Sequence, residues 1–408
     1  MSPVAASSAS TVTPASSALR PSTVLLAFGS FGLLWGLFAA GLPVIKARSG
    51  ADDAAFGTAL LFVALAAAPT MFAVGRLLDR MGRRVAVVAA LLFCAVVPLP
   101  TLADSFGLLV LTLALFGAGS GAFDVVINSL AATVEAESGV RVLNRAHALF
   151  SAGLLVGSLL IAGFTAASVS ISLTLAGFAL ATAVFILIVL RRAPANLGRS
   201  EATNDGSVEA SKRRRVNPIV VAFGLLAALA ALIESGIQQW SAVFLGQEVG
   251  ASAALAGLAP GIFAASMAIG RLGGHRVQEM TSSKALLVMS AAVSAIGVLV
   301  VATAETSPLV LAGFAIVGVG ISVAAPTIYS LAAEQAPPET RGATIGTTAS
   351  VGYAGLLLGP VVVGQVAGLT SLRGAVGGLA IVALVLGVGA LRLPHRTPLR
   401  ARGRPAME

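Results

Sequence analysis

Of the 17 Asp and Glu residues in the chain, only Asp124 and Glu234 fall deep within long apolar stretches. A charge at mid-bilayer costs about 2.5–3.5 kcal/mol on insertion scales, so an acid placed there is a functional candidate by default. Burial in a low dielectric favours the neutral form of a carboxyl. An acid that protonates in a dry state and ionises in a wet one can couple proton movement to a change of conformation. A structural acid bonded to a neighbouring helix is the alternative. Asp124 is the first choice as the titrating group and Glu234 the second. Asp124 and Asn128 are four residues apart, hence on one helical face. Around Glu234 the chain reads Glu234-Ser235-Gly236-Ile237-Gln238-Gln239-Trp240-Ser241, adding two amides and an indole. Asn128, Gln238, Gln239, Trp240 and Tyr329 are therefore the candidate substrate-binding side chains. Trp240 either stacks on a sugar-like ring or marks the membrane interface. His147 and Ser151 are again four apart; His147 either titrates near neutrality or anchors an interface.

The elements that position these groups follow from composition. Hydrophobic residues make up 57% of the 408 residues and charged ones 11%, against about 25% charged in a typical soluble domain. Such a chain cannot cover a soluble surface. A soluble enzyme, a secreted disulfide scaffold and a disordered chain are excluded, and a polytopic helical membrane protein remains. A membrane helix needs about 20 apolar residues. Apolar stretches of that order cover 22–45, 54–77, 84–103, 107–134, 143–167 and 169–190, then 218–246, 252–273, 284–303, 308–333, 341–369 and 372–392. None alternates as a transmembrane strand would, and helices satisfy their backbone internally. The lone Cys94 lies inside an apolar run and reads as packing.

With both termini cytoplasmic, only Lys46, Arg48 and Arg373 of the 26 Lys and Arg residues fall on the opposite side. This asymmetry sets the direction of twelve spans in the plasma (cytoplasmic) membrane. It also accounts for the net charge of +9 without nucleic acid. The expected organisation is a flexible cytoplasmic tail (1–21), a six-helix half (22–190), a basic cytoplasmic linker (191–217), a second six-helix half (218–392) and a basic cytoplasmic tail (393–408).

Short matches recur about 200 residues apart. Gly75-Arg76-Leu77 returns as Gly270-Arg271-Leu272, Ser129-Leu130-Ala131-Ala132 as Ser330-Leu331-Ala332-Ala333, and Ala152-Gly153-Leu154-Leu155 as Ala354-Gly355-Leu356-Leu357. In this register Tyr329 stands opposite Asn128 and Ala325 opposite Asp124, so the site is asymmetric. Two parallel-related halves around a midplane site make a transporter architecture. No phosphate loop, metal-spaced His/Cys cluster or nucleophile triad is present in the sequence, and no cofactor is expected.

Residues 75–84 read Gly75-Arg76-Leu77-Leu78-Asp79-Arg80-Met81-Gly82-Arg83-Arg84, between the second and third spans. This resembles the signature loop of the major facilitator superfamily. The resemblance implies an all-α fold of twelve transmembrane helices in two pseudo-symmetric halves. It also implies a gating loop in which Gly75, Asp79, Arg80, Gly82, Arg83 and Arg84 latch the outward-facing state. In the second half, Gly270-Arg271-Leu272-Gly273-Gly274-His275-Arg276 lacks the acid. The Asp124-x-x-x-Asn128 element and the Glu234, Trp240 and Ser241 positions are similar to fucose permease and its relatives, where the span-4 acid serves proton coupling. Here Ser235 replaces a usual glycine, Gln239 a usual aspartate, and the first span has no acid. The resemblance implies a monomeric secondary transporter of a small, sugar-like solute, a proton symporter without enzymatic activity. The alternative is a proton-driven drug or metabolite efflux pump of the same fold, disfavoured by the absence of a Gly-Pro element in the fifth span.

Overall fold

The structure, a computed structural model, describes residues 20–140, 142–193, 197, 218–337 and 340–393. Nearly all of the expected N-terminal tail, basic linker and C-terminal tail lies outside the described residues. The first half comprises α1 (Pro21–Ser49), α2 (Asp53–Met81), α3 (Arg83–Val96) with a 3-10 turn at Leu99–Leu102, α4 (Phe106–Ser138), α5 (Leu143–Ala166) and α6 (Ile171–Arg191). The second comprises α7 (Pro218–Glu248), the one-turn α8 (Ala253–Ala256), α9 (Ala259–Met280), α10 (Ser283–Thr303), α11 (Ser307–Ile321), α12 (Ala324–Glu334), α13 (Arg341–Leu369) and α14 (Leu372–Leu391). Among the described residues, 12 helical segments are long and apolar enough to cross a membrane. α11 and α12 make up one of them, broken at Ser322-Val323.

Helix starts are written in the sequence. Asp52, Ser170, Ser252, Ser282 and Ser371 each accept a hydrogen bond from a backbone N–H three residues on, the N-cap arrangement that satisfies an orphan donor. Two spans differ from expectation in a way that matters. The segment 75–84 is mostly helix: Gly75–Met81 form the last turns of α2, and Gly82 alone separates it from α3. Gly82 has φ 56° and ψ −134°, a backbone state that disfavours any Cβ. The eighth span runs on to Met280, past the expected end at 273, so Arg271, counted above with the cytoplasmic arginines, stands well within α9.

The internal repeat is visible as repeated packing. Gly153 and Gly157 of α5 lie against the backbone of α1, and Gly355 and Gly359 of α13 lie against α7. A Cβ on Gly359 would sit 2.7 Å from Leu232 O, so the crossing requires glycine. The halves also share a cationic cap. Arg83 Nη1 donates to Ala193 O at 3.1 Å, beyond the end of α6, and Lys284 Nζ donates to Leu393 O at 3.2 Å, beyond the end of α14. Orphan carbonyls and the negative helix end are satisfied alike in both.

Across the halves, α2 packs on α13 and α5 on α8 and α9. The α2–α13 contact is tight at the arginine-poor end. A Cβ on Gly57 would lie 2.8 Å from Gly364 Cα and Pro360 O. Gln365 Nε2 donates to Thr58 Oγ1 at 2.9 Å and to Ala54 O at 3.2 Å. α5 meets α9 toward the same end, where a Cβ on Gly261 would lie 2.7 Å from Ser158 Cβ. Toward the arginine-rich end, Gly75, Gly342 and Gly346 have nothing among the described residues within 4 Å of where a Cβ would be. The close glycine contacts between the halves among the described residues therefore lie toward the arginine-poor end.

Candidate functional site

A cavity of about 380 Å³ lies between the halves, walled by α1, α2, α4 and α5 on one side and α7 and α13 on the other. Its polar groups are Asp124, Ser120 and Trp35 from the first half and Glu234, Ser235, Gln238, Gln239 and Tyr353 from the second. Apolar side chains, among them Phe31, Val63, Met71, Phe150, Leu154 and Leu356, form the remainder. The tight Gly57–Gly364 contact lies on the arginine-poor side of this cavity.

Asp124 projects from the middle of α4 and is half-buried. Asn128, one turn on, donates from Nδ2 to Asp124 Oδ1 at 3.2 Å and to Asp124 O at 2.9 Å. The shared face read from the spacing is thus present, but Asn128 is folded back on the acid and does not line the cavity. One turn before Asp124, Ser120 Oγ accepts from Trp35 Nε1 at 3.0 Å, pinning the indole of α1 onto α4. His147 and Tyr353 lie within electrostatic range of Asp124. The His147 ring is exposed and meets Phe28 edge-on with centroids 5.1 Å apart.

Glu234 occupies the corresponding depth of α7 in a different setting. Its Oε1 is 3.6 Å from Arg271 Nη2, on α9. The pair joins two helices of the same half and neutralises the glutamate locally. Beside it, Ser235 Oγ and Gln238 Nε2 are buried without a hydrogen-bond partner among the described residues. Both residues line the cavity, and buried polar atoms left unpaired are uncommon.

Trp240 is fully buried and does not line the cavity. Its Nε1 donates to Pro360 O at 3.0 Å, and its ring meets Phe56 edge-on at 5.7 Å. It therefore stands behind the Gly57–Gly364 contact, where α7, α13 and α2 converge. Tyr329, on α12, is half-buried and directs its hydroxyl toward Gly352 of α13, outside the cavity wall. Of the signature segment, Asp79, Arg80 and Arg84 are exposed at the arginine-rich end, Gly75 faces open space, Gly82 makes the turn, and Arg83 caps α6.

Sequence reasoning missed Arg271 as the partner of Glu234 because it counted this residue among the cytoplasmic loop arginines, although its eighth span ran to 273. It also missed Tyr353 and Ser120. Tyr353 carried a legible signal: it is one of two tyrosines in the chain and sits mid-span.

Residues 24–355, and again 244–408, match the Major Facilitator Superfamily. An uncharacterized MFS-type transporter of Yersinia pestis is 33% identical over 90% of this chain and 93% of its own length. The crystal structure of the nucleoside transporter NupG is similar with a TM-score of 0.78 at 13% identity, covering 91% of this chain and 98% of that one. The fucose:proton symporter FucP of E. coli is similar with a TM-score of 0.53 at 16% identity, covering 92% and 98%. At these identities the two solved structures share the fold alone. The family match and the 33% relative, each spanning most of the sequence, place the chain in the major facilitator superfamily, as an integral membrane transporter and not an enzyme.

Proposed function

We propose that this transporter moves a small, sugar-like solute across the cytoplasmic membrane by alternating access, coupled to protons through Asp124, in the manner of the fucose-permease-like branch. The observation that carries the reading is the inequality of the two cavity acids. Glu234 has Arg271 as counter-ion, whereas the hydrogen bonds to the Asp124 carboxylate among the described residues come from Asn128 of its own helix. A carboxylate without a fixed counter-ion, on a wall that is exposed in one state and enclosed in the next, is suited to gain and lose a proton with each cycle. The cavity volume is at the small end of ligand sites, which supports a solute of monosaccharide size. Ser235 and Gln238 offer it unpaired polar atoms, and Gln239 adds an amide.

In this reading the arginine-rich end faces the cytoplasm. Both termini are then cytoplasmic, the conformation described is inward-facing, and the Gly75–Arg84 segment latches the opposite, outward-facing state. The protein works as a monomer. The largely apolar wall supports one second reading, proton-driven efflux of an amphipathic compound. Direction of flux separates the two.

The test is transport in right-side-out and inside-out vesicles, after a thermal-shift screen of purified protein against sugars, polyols, amino acids and cationic drugs, in which a ligand raises apparent stability by mass action. Asp124→Asn is expected to insert normally, lose proton-driven accumulation and keep solute exchange. Accumulation equal to wild type in the Asn variant would show that Asp124 is not the coupling group.

A further inference from the structure

Away from the central cavity, a groove follows the seam between α1 and α6 on the outer face of the first half. At the arginine-rich end, Arg20, Arg192 and Thr23 line a recess of about 410 Å³. Leu26 and Phe185 belong both to this recess and to a second one of about 370 Å³, which continues between the two helices past Gly29 and Ala181 to Leu33 and Phe178. On each helix these positions recur at three- and four-residue intervals, so each contributes one continuous stripe. The two recesses therefore form one track, cationic at the mouth and apolar below.

Two features say what fits it. The side chains of Arg20 and Arg192 have neither an ion pair nor a hydrogen bond among the described residues. Two like charges sharing a recess ask for an anion between them. The length is also specific. From Arg20 to Leu33, at about 1.5 Å per helical residue, the track runs about 20 Å. That equals one leaflet of a bilayer about 40–45 Å thick with its headgroup regions included. A soluble anion would use the mouth and leave the apolar track unfilled. A zwitterionic lipid would bring an ammonium group next to two arginines.

We propose that this groove holds one anionic phospholipid of the leaflet on the arginine-rich side, its phosphate between Arg20 and Arg192 beside the Thr23 hydroxyl, and one acyl chain laid between α1 and α6. The site is independent of the Asp124 cavity, because α1 presents Leu26, Gly29 and Leu33 to the groove and Phe31 and Trp35 to the cavity.

The experiment uses the full chain in detergent and measures, by native mass spectrometry, retention of dioleoyl-phosphatidylglycerol against dioleoyl-phosphatidylcholine. Wild type is expected to keep the anionic lipid about 10-fold in preference, which corresponds to about 1.4 kcal/mol. Arg20→Gln and Arg192→Gln are each expected to lower the preference several-fold, and together to abolish it. Ala181→Trp, which fills the track, is expected to displace both lipids. Arg276→Gln, at the same end but outside the groove, should leave the preference unchanged. Three results would overturn the proposal: an equal loss in Arg276→Gln, which means diffuse charge; full displacement by millimolar inorganic phosphate, which means an anion site without a lipid track; or no preference in wild type. Melting temperatures of the variants identify any that fail to fold, and each single arginine variant tests the site separately.

Discussion

Asp124 and Glu234 face one cavity from opposite halves, at like depth on α4 and α7, yet their surroundings differ. Asp124 is bonded to Asn128 on its own helix; Glu234 is tied across to Arg271 on a neighbouring one. The first arrangement gives the acid no ion pair among the described residues, with His147 only within electrostatic range. The second cancels the charge and braces α7 against α9. A cavity acid therefore has two uses, and its partner, not its depth, decides which. In an apolar medium an unpaired ion costs several kcal/mol more than a paired one, so the two acids respond differently when a proton is the only available compensation.

Neutralising each acid in turn gives the largest expected contrast. Asp124→Asn should reduce proton-driven accumulation to the level of empty vesicles while counterflow of solute persists. Glu234→Gln should lower transport while leaving residual accumulation still driven by the pH gradient. If the Gln variant were the uncoupled one and the Asn variant merely slow, the roles would be exchanged.

A smaller effect isolates the brace. Arg271→Gln leaves Glu234 facing the cavity without its counter-ion, and for this partly exposed pair is expected to cost up to about 1 kcal/mol of stability. The double change Arg271→Gln with Glu234→Gln should recover most of that loss, because no uncompensated charge remains. The readout is the thermal unfolding midpoint in detergent. Additive losses in the double variant would mean that the 3.6 Å pair carries no coupling.

Much of this was legible without coordinates. Twelve apolar runs, the asymmetry of Lys and Arg and the repeated Ala-Gly-Leu-Leu pattern follow from bilayer physics, and the cuts between α5 and α6 and between α13 and α14 came within four residues of those observed. The acids were legible because a carboxylate is rare in hydrocarbon. What the sequence hid were relations across helices. Arg271 looked like one more arginine of the basic loops, since nothing in Gly270-Arg271-Leu272 reveals that α9 continues to Met280 and carries the guanidinium toward Glu234. Nor does local sequence distinguish a cavity-facing polar group from one turned to a neighbour: Gln238 lines the cavity, while Trp240, two residues on, points away.

The two tryptophans sharpen the comparison at its smallest scale. Both indoles donate a hydrogen bond to a neighbouring helix, Trp35 to Ser120 Oγ and Trp240 to Pro360 O. Trp35 does so on the cavity wall and Trp240 behind the Gly57–Gly364 contact. Trp240→Phe keeps most of the ring's bulk but removes the indole's hydrogen bond to a carbonyl inside α13, which costs about 0.5–1.5 kcal/mol. The melting temperature should fall, and the apparent affinity for solute should stay within about 2-fold, since less than about 0.5 kcal/mol of binding is at stake. Trp35→Phe frees Ser120 Oγ within the cavity itself. It is expected to change apparent affinity by about 3–10-fold, the equivalent of one neutral hydrogen bond, with a smaller change in melting temperature because the freed hydroxyl can meet water. Paired measurements of affinity and unfolding on the two variants decide the matter. An affinity change confined to Trp240→Phe would mean that the cavity extends behind that contact in another state of the cycle, and that this indole reaches solute after all.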